Sequence, residues 1–194
     1  MSETPTINIP LGFIAPEFHL PDTVSGQKLT YQQIRGEKGT VVIFICNHCP
    51  YVIHMIHELV HVANEYMPKG IGFAAISSND VENYPQDAPD KMREYAALWR
   101  FPFAYLYDET QDVAKAYQAV CTPDFNVFDR QDRCVYRGQM DDSRPKNKVA
   151  VDGKDLRNTL DSLLKGEAIS AHQKPSVGCN IKWKGGYSPL KKLL

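Results

Sequence analysis

The sequence is short of nearly everything that marks a secreted, membrane-bound or nucleic-acid-binding protein. It has no surplus of charge: 22 Lys and Arg stand against 23 Asp and Glu, a formal net charge of -1. It therefore has no long-range attraction for phosphate, and nucleic acid is a poor partner. No apolar run approaches the ~20 residues needed to cross a bilayer. The amino-terminal stretch M-S-E-T-P-T-I-N-I-P lacks a basic segment followed by an apolar core, so no secretory signal is expected and a cytoplasmic location is. Cysteine is scarce too: there are five, scattered and odd in number. That excludes a disulfide scaffold and, in a reducing compartment, fits catalytic or metal-binding thiols. There are no internal repeats.

What is present is an ordinary globular composition, 43% hydrophobic and 23% charged, in 194 residues. One domain of that length can bury a full core. Its centre is Thr40 to Val52, T-V-V-I-F-I-C-N-H-C-P-Y-V. Val41 to Ile45 is a continuous apolar run, as in a strand covered on both faces. It leads into a Cys-x-x-Cys pair, Cys46 and Cys49, a redox-site signature when it joins a strand to a helix. A helix is expected from Pro50 to Met67, with Val52, Ile56, Leu59, Ala63, Tyr66 and Met67 on its core face. Ile71 to Ser77 reads as a strand set parallel to the first by a right-handed crossover.

Before this unit, Phe18-His19-Leu20 and Gln27-Lys28-Leu29 read as a small hairpin. After it come a polar loop from Asp80 to Pro89, a helix on Met92, Tyr95, Ala96 and Trp99, and a strand from Phe103 to Tyr107. A short helix from Asp112 to Val120 follows. Strands Phe125 to Phe128 and Cys134 to Met140 share a turn too short for anything but antiparallel pairing. A last amphipathic helix, Asp155 to Lys165, stops at Gly166. The order predicts an α/β fold, a central mixed sheet flanked by helices. Residues 1–166 form the domain. Residues 167–194, with Cys179, Trp183, five lysines and no acid after Glu167, form an extended tail lying on the domain or on a partner.

A thiol must ionise to react. A helix amino terminus favours the thiolate through its unpaired amides and dipole. Proline is favoured at the first helical position. Pro50 there puts Cys49 at the cap, so Cys49 is the expected nucleophile and Cys46 the partner that closes a disulfide. His48 either raises the thiolate content or is a solvated loop residue. Pro123, in Cys121-Thr122-Pro123, stands at the start of a strand, where proline is common in any case.

The layout resembles the thioredoxin-like superfold, in particular its peroxiredoxin-like redoxin branch. The matching residues are A-P-E-F-H-L-P-D, V-V-I-F-I-C-N-H-C-P-Y-V, I-S-S-N-D, F-P-F-A-Y-L-Y-D, C-T-P-D-F-N-V-F-D, Y-R-G-Q-M-D-D-S-R-P and G-C-N-I-K-W-K. The resemblance implies a cis Thr122–Pro123 bond flanking Cys49. It also offers Cys121 and Cys179 as extra resolving thiols and Arg137 and Arg144 as charge support, beside the plainer roles of packing and surface salt bridging. Cys134 is expected to pack.

Two departures matter. Where thioredoxins carry the second cysteine of their pair stands Val52, so the pair is shifted upstream. Where peroxiredoxins carry the threonine that positions peroxide stands Cys46. The expected function is thiol–disulfide oxidoreduction by Cys49 and Cys46, with thiol peroxidase activity as the alternative. No organic cofactor is implied. The partners would be a disulfide or peroxide substrate and a thiol reductant protein or small thiol, and a homodimer stays open. A third reading, of another class, is a zinc or copper site on Cys46, His48 and Cys49. His54, His57 and His61 share one helix face within about 60°, beside Glu58 and Glu65, and read as solvated.

Overall fold

The computed structural model describes residues 3–7, 9–187 and 189. The tail lysines Lys191 and Lys192 lie outside the described residues. The elements are β1 (Glu3–Pro5), β2 (His19–Pro21), β3 (Lys28–Thr30), α1 (Tyr31–Ile34), β4 (Gly39–Phe44), α2 (Pro50–Tyr66), β5 (Ile71–Ser77), α3 (Pro89–Trp99), β6 (Ala104–Tyr107), α4 (Asp112–Ala116), β7 (Cys121–Thr122), β8 (Asp124–Asp129), β9 (Cys134–Gly138), α5 (Lys154–Lys165) and β10 (Val177–Asn180).

The main sheet has the order β6-β5-β4-β8-β9. Its central strand β4 runs parallel to β5 and antiparallel to β8, the mixed sheet expected. Every residue of β4 is buried, because successive side chains enter different cores. Val41 and Ile43 pack with Val52, Ile56 and Leu59 of α2, Met92 of α3 and Leu156 and Leu160 of α5. Val42 and Phe44 pack on the other face with Tyr31, Leu106, Tyr117 and Phe128. An alternating strand would leave one face wet; this apolar run has helices or loops on both sides.

Most expected elements stand within a residue or two of their places. The hairpin is β2–β3, and β8–β9 is antiparallel. Helix α2 ends at Tyr66 rather than Met67, where the chain tightens into a 3₁₀ turn over Met67–Lys69 before Pro68 and Gly70 can disrupt a full turn. Five of the six residues expected on its core face are buried; Met67, in the 3₁₀ turn, is only half-buried, and the face widens instead to Met55, Val60 and Val62. The expected helix from Asp112 to Val120 stops at Ala116, since Gln118 takes φ 51 and turns the chain toward β7. Gly166 closes α5 at φ 70, the left-handed position that glycine accepts without strain.

The tail is more structured than its sequence suggested. β10 pairs antiparallel with both β1 and β7, forming a second small sheet. Gly178 lets it come close: a Cβ there would lie 1.9 Å from the Thr122 carbonyl oxygen.

Candidate thiol redox site

Strand β4 ends at Phe44, but Ile45 still donates its N–H to Ile76 O at 2.9 Å, which holds the next residue, Cys46, at the strand's mouth. Three residues on, Cys49 is the N-cap of α2 in extended conformation, and Pro50 takes the first helical position. Ile53 N–H to Cys49 O at 2.9 Å is the first helical hydrogen bond. The Thr122–Pro123 peptide, between β7 and β8, is cis. It places the Thr122 carbonyl 3.1 Å from Cys49 Sγ, which donates to it as a thiol, and the Thr122 hydroxyl 3.5 Å from Cys46 Sγ.

Strand β10 brings a third thiol. Cys179 stands directly opposite Thr122 in the β10–β7 register, and its sulfur is within hydrogen-bond reach of Cys49. Cys49 thus has two thiols within hydrogen-bond reach. Solvent reaches almost none of the three: exposures are 2% for Cys46, 0% for Cys49 and 3% for Cys179. All five cysteines are reduced.

The surroundings divide the charge unevenly. Cys49 is held well below the usual thiol range, first by the Cys179 thiol, then by the Cys46 thiol, with burial opposing. The Thr122 hydroxyl and the Val52 amide of the first helical turn add to the effect, although no side-chain hydrogen bond closes the cap. Cys46 is pushed up, first by its hydrogen bond to Cys49, then by burial and by the Asp87 carboxylate. Cys179 is raised as well, first by its hydrogen bond to Cys49 and then by burial. Of the three sulfurs, Cys49 is therefore the one drawn toward ionisation, the one beside amides rather than a carboxylate, and as a thiol it gives its proton to the Thr122 carbonyl.

Asp87 was not foreseen. It lies in the polar loop before α3 and is fully buried. Its carboxylate accepts from Asn47 N–H at 2.8 Å and from Asn79 Nδ2 at 2.8 Å. His48 Nδ1 lies 2.7 Å from it, without a well-aligned N–H. Tyr105 donates to Asn47 Oδ1 at 2.9 Å and completes the cradle beneath the Cys46–Cys49 turn. Tyr95, also unforeseen, brings a buried hydroxyl with no hydrogen-bond partner among the described residues, close enough to feel charge on Cys46 and Cys49. No motif marked either residue; a loop aspartate and a helix tyrosine at core spacing look the same wherever they fold.

The metal reading changes its ligands. The cluster the fold makes is Cys46, His48 and Asp87, with donor atoms within 4.8 Å of one another, and Cys49 is not part of it. Two ligands on ~2.0–2.1 Å bonds to tetrahedral zinc stand roughly 3.3 Å apart. The 2.7 Å between His48 and Asp87 is instead a hydrogen-bond distance. His48 also stacks on Tyr84. It is neither a solvated loop residue nor turned toward Cys49.

Other candidates fall elsewhere. Cys121 is buried with its sulfur toward Thr6 Oγ1 at 3.6 Å, and burial raises its pKa. Cys134 packs in the opposite core, raised by burial to about 12. Neither surface salt bridging nor thiolate support describes Arg137. It is 6% exposed, pairs with buried Asp124 at 3.1 Å and donates to the Tyr117 and Gln118 carbonyls left open where α4 ends. Arg144 donates to the Asp141 and Ser143 carbonyls and to Gln139, lining a small cleft beside Pro123. His57 and His61 are exposed as expected; His54 is half-buried against Ser143 Oγ at 2.7 Å.

Comparison with known proteins identifies the family of the chain. The profile of the AhpC/TSA family matches residues 11–137. No functionally curated protein matches the chain. Among solved structures, an uncharacterized conserved protein from Geobacillus kaustophilus is 52% identical with a TM-score of 0.94, over 96% of this chain and 99% of that one. A hypothetical protein from Sinorhizobium meliloti 1021 is 41% identical with a TM-score of 0.92, over 94% and 100%. Peroxidoxin BcpB from Mycobacterium tuberculosis shares 15% identity and a TM-score of 0.60 over 82% and 98%, a likeness of thioredoxin-like fold. The chain belongs to the AhpC/TSA family and is a protein of thiol redox chemistry.

Proposed function

We propose that this protein is a thiol–disulfide oxidoreductase of a reducing compartment, with Cys49 as nucleophile and Cys46 as its partner. The observation that carries the reading is the seat of Cys49 Sγ, at the start of α2 and 3.1 Å from the Thr122 carbonyl beside the cis bond, with a second thiol three residues upstream. The Cys49 thiolate attacks one sulfur of a substrate disulfide, forming a mixed disulfide and expelling one substrate thiolate. Cys46 then gives up its proton and attacks Cys49 Sγ. The Cys46–Cys49 bond forms and the second substrate thiol leaves, so two protein thiols are oxidised while one disulfide becomes two thiols. A thiol protein or small thiol returns the electrons.

Alkylation at mildly acidic pH, read by peptide mass, tests the assignment. Cys49→Ser should abolish stoichiometric labelling at this turn, and Cys46→Ser should preserve it; the opposite pattern reverses the roles. Family membership favours a second reading, in which Cys49 is peroxidatic and Cys46 condenses with its sulfenic acid, releasing water. Consumption of hydroperoxide against a small thiol, set beside reduction of a protein disulfide, separates the two. Native mass spectrometry with and without chelator addresses the metal reading; stoichiometric zinc or copper would displace disulfide exchange as the main role.

A further inference from the structure

On its outer face α2 reads H-E-L-V-H, from His57 to His61. Residues four apart on a helix share one face, one turn above the other, and two histidines at this spacing with an acid after the first can present both imidazoles to a single metal ion. Leu59 and Val60, between them, are buried, so the core itself holds the two histidines outward. Both histidines are exposed. Among the described residues no hydrogen bond engages either ring nitrogen of His57.

We propose that His57 and His61 form a binding site for one divalent late transition-metal ion, of the nickel, copper and zinc class, with water completing its coordination. The two ring centroids are 4.3 Å apart and the rings are tilted by 59°. Two donors on ~2.0–2.1 Å bonds to one ion stand roughly 3 Å apart, so side-chain rotation alone brings a nitrogen of each ring onto it. Glu58 supports the arrangement from behind. Its carboxylate lies 3.4 Å from His61 Nδ1, which leaves Nε2 as the donor, and Arg157 holds that carboxylate in place at 2.7 Å. A carboxylate against the second nitrogen of a ligating histidine fixes the ring and raises its basicity. The charge of Arg157 is matched by Glu58 and Glu65 together.

The donor set selects the ion. Two imidazoles suit nickel, copper and zinc, whereas magnesium and calcium call for oxygen ligands. The site binds rather than hydrolyses. A hydrolytic zinc centre takes three protein ligands, and the H-E-x-x-H arrangement uses its acid as a free general base. Glu58 is instead engaged by Arg157 and His61, and the group of three donors that the described residues bring together is Cys46, His48 and Asp87, elsewhere. At 1.5 Å per residue, His57 and His61 stand about 12 and 18 Å along α2 from Cys49. An ion held here leaves the thiols free, so the inference does not depend on the role of Cys49, and a metal found on the protein belongs to this pair if it survives Cys46→Ser.

The structure supplies its own reporter. Trp99 of α3 meets the His57 ring edge-on, with centroids 6.4 Å apart, and Trp183→Phe leaves it the sole tryptophan. Nickel chloride is titrated into the full chain carrying Trp183→Phe, reduced beforehand and freed of reductant, while Trp99 fluorescence is followed. Quenching should saturate at one nickel per chain. His57→Ala and His61→Ala should each weaken binding at least about tenfold, because a two-point attachment becomes a one-point one. His54→Ala, whose ring is already engaged by Ser143, and Cys46→Ser should leave the midpoint unchanged. Magnesium chloride in large excess should not compete.

A second readout does not use fluorescence. Nickel should raise the thermal midpoint of the parent and not that of His57→Ala, since an ion that binds only the folded chain stabilises it. Equal titrations of the parent and His57→Ala, or quenching that grows without saturation in every variant, would mean adventitious surface binding only and would overturn the site. Loss of binding in Cys46→Ser would move the ion to the thiol turn, and an equal loss in His54→Ala would assign it to the wrong pair; either result refutes the proposal. Competition by magnesium would refute it too, by giving the ion to the carboxylates of Glu58 and Glu65.

Discussion

Replacing Asp87 with asparagine removes one negative charge from beneath the Cys46–Cys49 turn while keeping the side chain's shape. The carboxylate lies within 4.8 Å of Cys46 Sγ. At an effective dielectric constant of about 20, two unit charges 4.8 Å apart interact by about 3.5 kcal/mol, the equivalent of about 2.5 pKa units. The sign follows from the like charges. Asp87 disfavours a Cys46 thiolate, so Asp87→Asn should bring the thiol down. The measurement is the pH profile of Cys46 alkylation in a Cys49→Ser background, with and without Asp87→Asn. That background removes the hydrogen bond to Cys49 that otherwise raises Cys46 first. The midpoint should fall by about one to two units, the order set by that charge interaction. The substitution also puts an amide NH₂ where a carboxylate oxygen accepted from Asn47 N–H or Asn79 Nδ2, at a cost of about 1–3 kcal/mol. A looser turn would raise the alkylation rate equally at every pH, so it is the midpoint that decides. A midpoint that stays put or rises would refute the placement of Asp87 as the charge that holds Cys46 protonated.

Arg137→Met should cost about 3–5 kcal/mol in urea unfolding, because it strands buried Asp124 and the Tyr117 and Gln118 carbonyls; a cost below 1 kcal/mol would contradict the buried pairing. Ile56→Ala, at a fully buried position of α2, should cost about 2–5 kcal/mol by the same measurement. Stability in the presence of reductant should decline as pH rises above about 9. Burial raises Cys121 and Cys134, and Cys46 and Cys179 are raised as well, so the unfolded chain releases these protons before the folded one does. Stability held by a raised pKa is present below the unfolded value and lost through the folded one; Cys134→Ala should flatten the decline by about one proton's slope.

The sheet was legible because its signals are local. The run Val41 to Ile45 was apolar enough to specify a strand covered on both faces, and Pro50 followed by periodic Val52, Ile56 and Leu59 specified α2 and its cap. The face of α2 was underestimated because Met55 and Val62 are buried by the loop near Met140 and by Gly153, neighbours contributed from far along the chain. The end of α4 was missed because Gln118 adopts a left-handed conformation that nothing in A-Y-Q-A-V announces. Its open carbonyls are met by Arg137, a tertiary partner that also explains why this arginine is buried. Cys46, Cys49 and the Thr122–Pro123 segment could be placed together by spacing and resemblance. Asp87, Tyr95 and the seat of Cys179 could not, since each depends on how a loop, a helix face and the tail meet over the turn.

The upstream shift of the cysteine pair has a physical consequence beyond its unusual look. With the second thiol inside α2, both sulfurs would answer to the same helix amino terminus. Val52, which holds that position, is fully buried and supplies only its amide to Cys49. With the second thiol at the mouth of β4, Cys49 answers to the helix and Cys46 to Asp87, a residue of a separate loop. The separation matters for exchange. A thiol of high pKa is the stronger nucleophile once ionised, and one of low pKa is the better leaving group. In the attack of Cys46 on a Cys49 mixed disulfide, the nucleophile is set by the loop. When external thiol reopens the Cys46–Cys49 bond, Cys49 is the sulfur that leaves most readily, and its leaving ability is set by the helix. Asp87→Asn should therefore change the rate at which the pair closes far more than the rate at which a small thiol reopens it through Cys46. Stopped-flow measurement of both steps in one variant distinguishes this from a general loosening of the turn, which would speed or slow the two together.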